Sequence, residues 1–297
     1  MIKYKRTLRL KKLPAPLYLS LRKARRKMEE LSLGRRVEKY SRSLYEKYGD
    51  KPPIFSSIEV ETINRCNNDC AFCPVNRNAE VREFKKMDVE LFDKILADLK
   101  ALNYKGRFNL YSNNEPFMDN RITDFAKKAK AALPEACIGI FTNGLLLTLD
   151  MFKEIIPYLD KMGINNYNDE LEFNETTQII HDYCQENPDC DRKVSIFLRK
   201  KTEIMSTRGG NSPNNKKRKT INTTCLLPFR QMVVRPDGKV SLCCNDARGE
   251  MTLGDVGKQS MAEIWHSDEY VRIRENIRKG RQYIPVCRFC DFITFVE

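Results

Sequence analysis

The sequence predicts an α/β protein built on a parallel β-sheet. From residue 54 onward, β-prone runs alternate with helical patterns, as is typical of parallel strands joined by crossover helices. The chain has 297 residues, 41% hydrophobic and 31% charged, which suits a globular protein with a sizeable core. The alternation alone allows either a segment of a barrel or a doubly wound sheet.

Five strands and four helices are predicted between residues 54 and 205. The strands are predicted at residues 55–62, 108–111, 137–142, 164–167 and 194–198, and the helices at about residues 89–101, 121–132, 149–160 and 175–186. In parallel sheets, ligands bind where strands end and loops begin. The polar loops that follow the first three strands are therefore the candidate site.

The loop after the first strand contains three closely spaced cysteines, Cys66, Cys70 and Cys73. Thiolates at this spacing can close around one compact centre, and they suit iron–sulfur clusters, zinc or Cu(I). A [4Fe–4S] cluster takes four thiolates, so three protein ligands would leave one iron open to a substrate. A structural zinc site that borrows a fourth ligand elsewhere is the alternative on spacing alone.

This loop and its surroundings resemble the radical S-adenosylmethionine (SAM) superfamily. The family signature is CxxxCxxC, usually with an aromatic residue before the third cysteine, and here Phe72 precedes Cys73. The resemblance implies a partial (β/α) barrel, the radical SAM core, with a [4Fe–4S] cluster on Cys66, Cys70 and Cys73 that binds SAM through its open iron. The family core has six strands, so the sixth is either compressed or supplied by the segment after residue 205.

The loops after the second and third strands extend the resemblance. Asn113-Asn114-Glu115-Pro116 is similar to the family's GGE or GEP motif, and Thr142-Asn143-Gly144 to its TNG motif. The first motif lacks its glycine here, which puts a close approach of the backbone to SAM in doubt. The resemblance implies these cofactor contacts: Phe72 beside the adenine, Asn114 and Glu115 at the SAM amino group, Thr142 and Asn143 near the methionine moiety and ribose, and Arg199 at the SAM carboxylate.

A second set of cysteines lies in the C-terminal third of the chain. Cys225 precedes a predicted hairpin at residues 232–242, Cys243 and Cys244 follow that hairpin, and Cys287 and Cys290 form a CxxC pair. The hairpin turns at a Pro-Asp-Gly sequence, which would bring Cys225 back towards Cys243. Four thiolates placed in this way can complete an iron–sulfur site, or a zinc ribbon.

The same region resembles the SPASM/twitch auxiliary domain. The cysteine spacing, the Leu253-Gly254-Asp255 segment and Trp265 carry the resemblance, which fits the shorter, one-cluster twitch form. It implies an auxiliary [4Fe–4S] cluster on Cys225, Cys243, Cys287 and Cys290, with Cys244 as a reserve ligand. The predicted division is a basic helical N-terminal arm at residues 1–53, the barrel at 54–205, and a small C-terminal auxiliary-cluster domain at 206–297.

The N-terminal arm carries most of the positive charge. Residues 1–50 hold 16 Lys and Arg against 5 Asp and Glu, which gives +11 of the net +13. Apolar residues between positions 8 and 31 fall at helical spacing and predict a helix that Pro14 and Pro16 precede and open, and a further helical stretch runs up to Gly49. Such a helix can pack its apolar stripe on the body, lie on an anionic membrane surface, or bind a polyanion. The apolar stripe consists of Leu17, Leu21, Ala24, Met28 and Leu31.

The two resemblances together imply a radical SAM oxidoreductase. Its first cluster would cleave SAM reductively to a 5′-deoxyadenosyl radical that abstracts hydrogen from the substrate, and the auxiliary cluster would accept an electron. Oxidation of a sugar-like or anionic small molecule fits one auxiliary cluster. Maturation of a peptide or protein side chain is the enzymatic alternative, and a zinc-binding nucleic-acid or membrane adaptor is the alternative from another class.

The resemblance also implies partners, and the sequence itself indicates a location. A radical SAM enzyme requires a reducing electron donor such as flavodoxin or ferredoxin, and no nucleic acid is expected as a partner. The sequence has no apolar run of membrane-spanning length and no h-region of a secretion signal after its basic start. Eleven cysteines in such a chain indicate metal sites in a reducing compartment. The expected location is cytoplasmic, with peripheral membrane association through the arm as a further option.

Overall fold

A computed structural model describes residues 15–294, with side chains in the first helix described at Met28 and from Leu31 onward. Among these residues, eight strands form one sheet in the order β5-β4-β3-β2-β1-β6-β7-β8. The strands are β1 Ser57–Val60, β2 Arg107–Asn109, β3 Cys137–Thr142, β4 Lys161–Tyr167, β5 Val194–Arg199, β6 Gln231–Val234, β7 Lys239–Ser241 and β8 Thr252–Asp255.

Nine α-helices lie in the same described residues, together with short 3₁₀ turns. They are α1 Ala15–Tyr48, α2 Val89–Ala101, α3 Ile122–Ala132, α4 Leu149–Ile155, α5 Glu175–Glu186, α6 Pro188–Lys193, α7 Leu227–Arg230, α8 Met261–Trp265 and α9 Asp268–Lys279. The 3₁₀ turns are Pro116–Met118, Ile156–Tyr158, Arg208–Gly210, Arg281–Tyr283 and Pro285–Cys287.

The sheet is an open, partial barrel with six parallel strands. Strands β1 to β5 pair in parallel, and the sixth parallel strand is β6, which pairs with β1 so that Ser57 lies opposite Gln231. The prediction of a partial (β/α) barrel is confirmed, and its last strand comes from the segment after residue 205. The hairpin prediction is confirmed as well, because β6 and β7 are antiparallel, with Val233 opposite Ser241.

Helices cover the outer face of the sheet because their apolar residues recur at helical spacing. Helix α2 buries Phe92, Ile95, Leu96 and Leu99, and the ring of Phe92 lies 4.3 Å from that of Phe125 on α3. On the sheet, Ile58, Phe108, Ile138 and Met232 share one register level and are fully buried. Their neighbours along each strand point to the opposite face, which is the interior of the partial barrel.

Helix α1 is one continuous helix whose C-terminal part packs on the body. Val37 is buried, the carboxylate of Glu38 accepts a hydrogen bond from the backbone N of Thr224 (2.7 Å), and Arg278 pairs with Asp50. Met28 and Leu31 are exposed, at 64% and 53%. The other members of the predicted apolar stripe have side chains outside the described residues. They are Leu17, Leu21 and Ala24.

Within residues 15–294, the structure has no helix with the length and hydropathy that crossing a bilayer requires.

Candidate active site

A buried asparagine, which sequence reasoning missed, organises the cysteine loop after β1. The Nδ2 of Asn76 donates to the backbone carbonyls of Cys70 (3.0 Å) and Cys73 (2.9 Å), and its Oδ1 accepts from the backbone N of Asn78 (2.8 Å). The side chain is 7% exposed. These bonds fix the loop from both sides, so that the thiols of Cys66, Cys70 and Cys73 line one cavity.

That cavity, here called the upper cavity, lies at the carboxyl ends of the strands and has a volume of about 290 Å³. It brings the three cysteines together with five of the six predicted SAM contacts, which are Phe72, Asn114, Glu115, Thr142 and Asn143. Arg199 does not line the cavity. Its Nε donates instead to Oδ1 of Asn165 (3.2 Å), which does, and its guanidinium pairs with Glu203.

Glu115 joins the loops that follow β2 and β3. Its carboxylate is 1% exposed and accepts hydrogen bonds from Oγ1 of Thr142 (2.7 Å), the backbone N of Asn143 (2.7 Å) and the backbone N of Phe117 (3.2 Å). Burial raises the pKa of Glu115 to about 7, although these hydrogen bonds oppose the shift. The neighbouring turn requires glycine, because Gly144 has φ +78° and a Cβ there would lie 2.9 Å from Ile164.

The residues of the upper cavity fit SAM. Two buried amide donors that line it have no hydrogen-bond partner within the described part of the chain, Nδ2 of Asn68 and Nδ2 of Asn114. A ligand with a carboxylate and ribose oxygens supplies acceptors for such donors. Burial also raises the pKa of both Cys66 and Cys70 to about 12. Thiolates are therefore costly at this site unless a cation such as a metal centre balances their charge.

The four predicted auxiliary cysteines lie together at a second site. Burial raises the pKa of Cys243 well above its usual value, and the nearby thiols of Cys244, Cys287, Cys225 and Cys290 raise it further. Burial also raises the pKa of Cys225, which the charge of Arg281 lowers and the thiol of Cys290 raises. Burial and then the thiols of Cys225 and Cys290 raise the pKa of Cys287. Four thiolates this close repel one another unless a cation lies between them, so the donor set fits an iron–sulfur cluster.

The adjacent thiol, Cys244, faces a different environment. After burial, the carboxylate of Glu59 is the largest influence that raises its pKa, and Arg208 lowers it. The thiols of all three other predicted ligands raise the pKa of Cys243, whereas the charges that most affect the pKa of Cys244 are those of Glu59 and Arg208. This placement supports Cys243 as the fourth ligand.

The described residues contain no group of three His, Cys, Asp or Glu side chains placed to hold a single metal ion. A cluster spaces its thiolates further apart than one ion does, because the iron–sulfur core itself lies between them.

A second cavity, here called the lower cavity, occupies the interior of the partial barrel and has a volume of about 380 Å³. It is open because inward positions hold small residues such as Gly139, Gly163 and Ser195. A Cβ at Gly163 would overlap the ring of Phe141. Three aromatic side chains line both cavities and so form their common boundary. They are Tyr111, Phe141 and Phe292.

A hydrogen-bonded chain runs along this interior from the upper cavity to Cys244, the residue next to the auxiliary cysteine Cys243. Oγ of Ser112 donates to Oε2 of Glu59 (2.7 Å), Nε2 of Gln231 donates to Oε1 of Glu59 (2.8 Å), and the backbone N of Cys244 donates to Oε1 of Gln231 (3.2 Å). Above Ser112, the guanidinium of Arg208 donates to Oδ1 of Asn113. Glu59 thus lies between the two sets of thiols.

Sequence reasoning missed Glu59, although a signal was present. An acid inside the apolar run Ile58-Glu59-Val60 is costly to bury without partners, so its presence in a central strand indicates a polar interior.

Comparison with known proteins agrees with this geometry. Residues 60–184 match the Radical SAM superfamily, and residues 225–291 match SPASM, an iron–sulfur cluster-binding domain. The chain therefore belongs to the radical SAM superfamily and is a radical SAM enzyme with a C-terminal SPASM-type domain. Its cofactors are SAM and iron–sulfur clusters. These matches therefore argue against the alternative of a zinc-binding nucleic-acid or membrane adaptor.

Three relatives are similar over most of the chain. S-adenosyl-L-methionine-dependent 2-deoxy-scyllo-inosamine dehydrogenase from Niallia circulans is 27% identical over 81% of this chain and 94% of its own length. The structure of BtrN in complex with AdoMet and 2-DOIA has a TM-score of 0.69, with 25% identity over 81% of this chain and 94% of that one. Streptococcus suis SuiB bound to the precursor peptide SuiA shares the fold, with a TM-score of 0.50 and 12% identity over 85% and 74%.

Proposed function

We propose that this enzyme is a radical SAM oxidoreductase that oxidises a hydroxyl group of a sugar-like small molecule to a carbonyl. The observation that carries the proposal is the position of Glu59, a buried carboxylate that lines the lower cavity between the SAM-side cysteines and the auxiliary cysteines. The similarity to a 2-deoxy-scyllo-inosamine dehydrogenase, which acts on such a molecule by its name, supports the same class of substrate.

Oxidation of an alcohol to a carbonyl removes a hydrogen atom from carbon, a proton from oxygen and one electron. When bound, SAM on the first cluster supplies the hydrogen-atom acceptor, and the auxiliary cluster supplies the electron acceptor. The chain itself supplies the proton acceptor, which is the carboxylate of Glu59. Burial raises the pKa of Glu59 to about 7, so that a substantial fraction of it can take up the hydroxyl proton near neutral pH.

Arg208 orients the substrate from the other side. It lines the upper cavity, its Nε has no partner within the described part of the chain, and its backbone is held in the left-handed region at φ +50°. Non-glycine residues in this conformation are strained and cluster at functional sites. We assign Arg208 a hydrogen bond to a substrate oxygen, opposite Glu59.

The enzyme also needs an external reductant for its first cluster, and we propose a flavodoxin or ferredoxin. The surface next to the cysteine loop supports this choice, since Arg77 and Lys201 both pair with Asp69 of that loop and are partly exposed. Cations at this position attract acidic electron-transfer proteins. Cysteines that hold iron–sulfur clusters suit a reducing location, and we propose that it is the cytoplasm.

Membrane contact through the arm stays a prediction. Its described part offers exposed Met28 and Leu31, with Arg35, Lys39 and Arg42 beside a groove on the same helix. Sedimentation with anionic vesicles, compared with neutral vesicles, measures it directly.

The proposed reaction is tested with anaerobically reconstituted enzyme, SAM, dithionite and a small-molecule extract of the cells that make the protein, with 2-deoxy-scyllo-inosamine as a separate probe. Mass spectrometry should show a SAM-dependent product lighter by two hydrogen atoms, formed together with 5′-deoxyadenosine. Production of 5′-deoxyadenosine with no such product, or a modified peptide in its place, would contradict the proposal. Glu59→Gln is the matched variant, because it keeps the shape and removes the proton acceptor.

A further inference from the structure

The lower cavity has a basic rim at the end opposite the cysteine loop. Arg107 begins β2, Lys161 begins β4 and Lys193 directly precedes β5, and all three side chains line the cavity. Parallel strands start at the same end of a sheet, so the three cations lie at the amino end of the barrel. Cys137, which begins β3, lies among them.

The lining of the lower cavity is richer in cations than in acids. Glu59 is the one acid that lines the lower cavity among the described residues. Asp160 lies near Cys137, but both of its oxygens are 2.9 Å from Nζ of Lys130, and Oδ2 also accepts from the backbone N of Ile138. The charge of Asp160 is therefore balanced outside the cavity.

The two lysines of the rim retain donors for a ligand. Nζ of Lys193 donates to the carbonyl of Ile156 (3.1 Å), and Nζ of Lys161 donates to the carbonyl of Arg192 (3.4 Å). An ammonium group has three N–H donors, so each carbonyl takes one of the three. Because a carbonyl is neutral, neither of these two bonds neutralises the charge of its lysine. Arg107 adds a planar guanidinium, which suits the oxygens of a phosphate.

The distance from the rim to the reacting end limits the size of the ligand. Arg107 and Tyr111 are four residues apart, and at about 3.3 Å per residue this corresponds to about 13 Å along the strand direction. Tyr111 borders the upper cavity, and Glu59 lies at an intermediate level, in register with Asn109. A sugar-like ring with a phosphoryl group attached fits this length, with the ring at Glu59 and the anion at the rim.

We infer that the substrate carries a phosphate or diphosphate group, which binds at the rim formed by Arg107, Lys161 and Lys193. This inference rests on the proposed function for the oxidation of the ring, and it adds the chemical class of the substrate. The anion site itself is defined by residues that no part of the SAM or cluster chemistry uses, so it can be tested separately.

Pyrophosphate is the probe, with inorganic phosphate as the smaller comparison, and binding to the reconstituted full chain is followed by calorimetry. Arg107→Gln and Lys161→Gln should each weaken pyrophosphate binding about tenfold or more, the size expected for one charge-assisted hydrogen bond. Lys128→Gln is the matched control, because it removes one charge from an exposed pair with Asp93 outside the cavity. Iron content confirms that each variant is folded.

A second readout places the anion without any variant. Cys137 lines the rim, so pyrophosphate should slow its alkylation, measured by peptide mapping, while leaving the alkylation of Cys190 unchanged. The site would be overturned if Lys39→Gln, in the arm, abolished pyrophosphate binding while Arg107→Gln kept it and pyrophosphate did not protect Cys137. Equal binding by all variants would overturn it as well.

A separate experiment tests whether the substrate itself carries a phosphate. Treatment of the cell extract with phosphatase and nucleotide pyrophosphatase should abolish the oxidised product, and persistence of that product would refute a phosphorylated substrate. Absence of any SAM cleavage would count against the proposed function, while the pyrophosphate results would still decide the anion site.

Discussion

Replacement of Asn76 by alanine should open the SAM-side cluster to chelators. The variant loses two donated hydrogen bonds, to the carbonyls of Cys70 and Cys73, and one accepted from the backbone N of Asn78. At about 1 kcal/mol net for each bond, the loop loses about 3 kcal/mol of local stability. Since about 1.4 kcal/mol corresponds to a factor of ten, the open loop should be populated roughly 100-fold more often.

The assay is release of iron to a chelator from the anaerobically reconstituted enzyme, which should hold about eight irons in two clusters. Half of the iron should leave Asn76→Ala about 100-fold faster than wild type, in proportion to the open population, and the other half at the wild-type rate. Asn78→Ala is the control, because its side chain is exposed and its backbone N is kept. If Asn76→Ala releases iron no faster than Asn78→Ala, the role assigned to Asn76 is wrong.

Three further predictions concern the auxiliary site, the proton acceptor and the C-terminal packing. Cys290→Ala should keep SAM cleavage and lose the oxidised product, both measured by mass spectrometry; equal loss of both would contradict separate clusters. Glu59→Gln should slow product formation roughly 100-fold or more. In wild type the rate of product formation should fall as the pH drops below about 7, because the active carboxylate of Glu59 becomes protonated. If Glu59→Gln keeps the same pH profile, Glu59 is not the proton acceptor. Arg274 is fully buried, lies 4.3 Å above the Trp265 ring and donates to two backbone carbonyls. Arg274→Met should therefore lower the free energy of unfolding in urea by about 3 kcal/mol, whereas the control Arg272→Met, at an exposed position, should change it little.

Local patterns predicted the regular elements well where burial and periodicity agreed. The predicted helices at residues 89–101 and 175–186 and the predicted strand at 137–142 have the observed bounds. Each has apolar residues on one face or in one run, so the sequence signal and the packing have the same origin. The extra helix Pro188–Lys193 was not predicted, because it is short and buries none of its side chains.

Long-range pairing could not be predicted in the same way. Gln231–Val234 has the composition of a hairpin arm, and nothing local shows that it also pairs in parallel with β1, more than 170 positions earlier. The division of the chain at residues 205 and 206 stays a prediction, although this strand pairing joins the two predicted domains.

At the site, motifs predicted the residues that share a loop with a cysteine or a turn signal. Glu59 and Arg208 lie outside such motifs, and only the folded chain shows that Arg208 of the upper cavity lies near enough to Glu59 of the lower cavity to lower its pKa. Arg199 was proposed for the SAM carboxylate from the family resemblance, and its side chain contacts Asn165 and Glu203 instead.

The central claim is that seven cysteines bind two different iron–sulfur clusters. One cluster has an open iron that binds SAM, and the auxiliary cluster has none. Electron paramagnetic resonance of the dithionite-reduced enzyme, with and without SAM, tests it most directly. Two signals are expected, and SAM should change one of them. The SAM-sensitive signal should vanish when Cys66, Cys70 and Cys73 are replaced by alanine, and the other when Cys287 and Cys290 are replaced. A single signal, a response of both signals to SAM, or colourless protein with zinc would contradict the account.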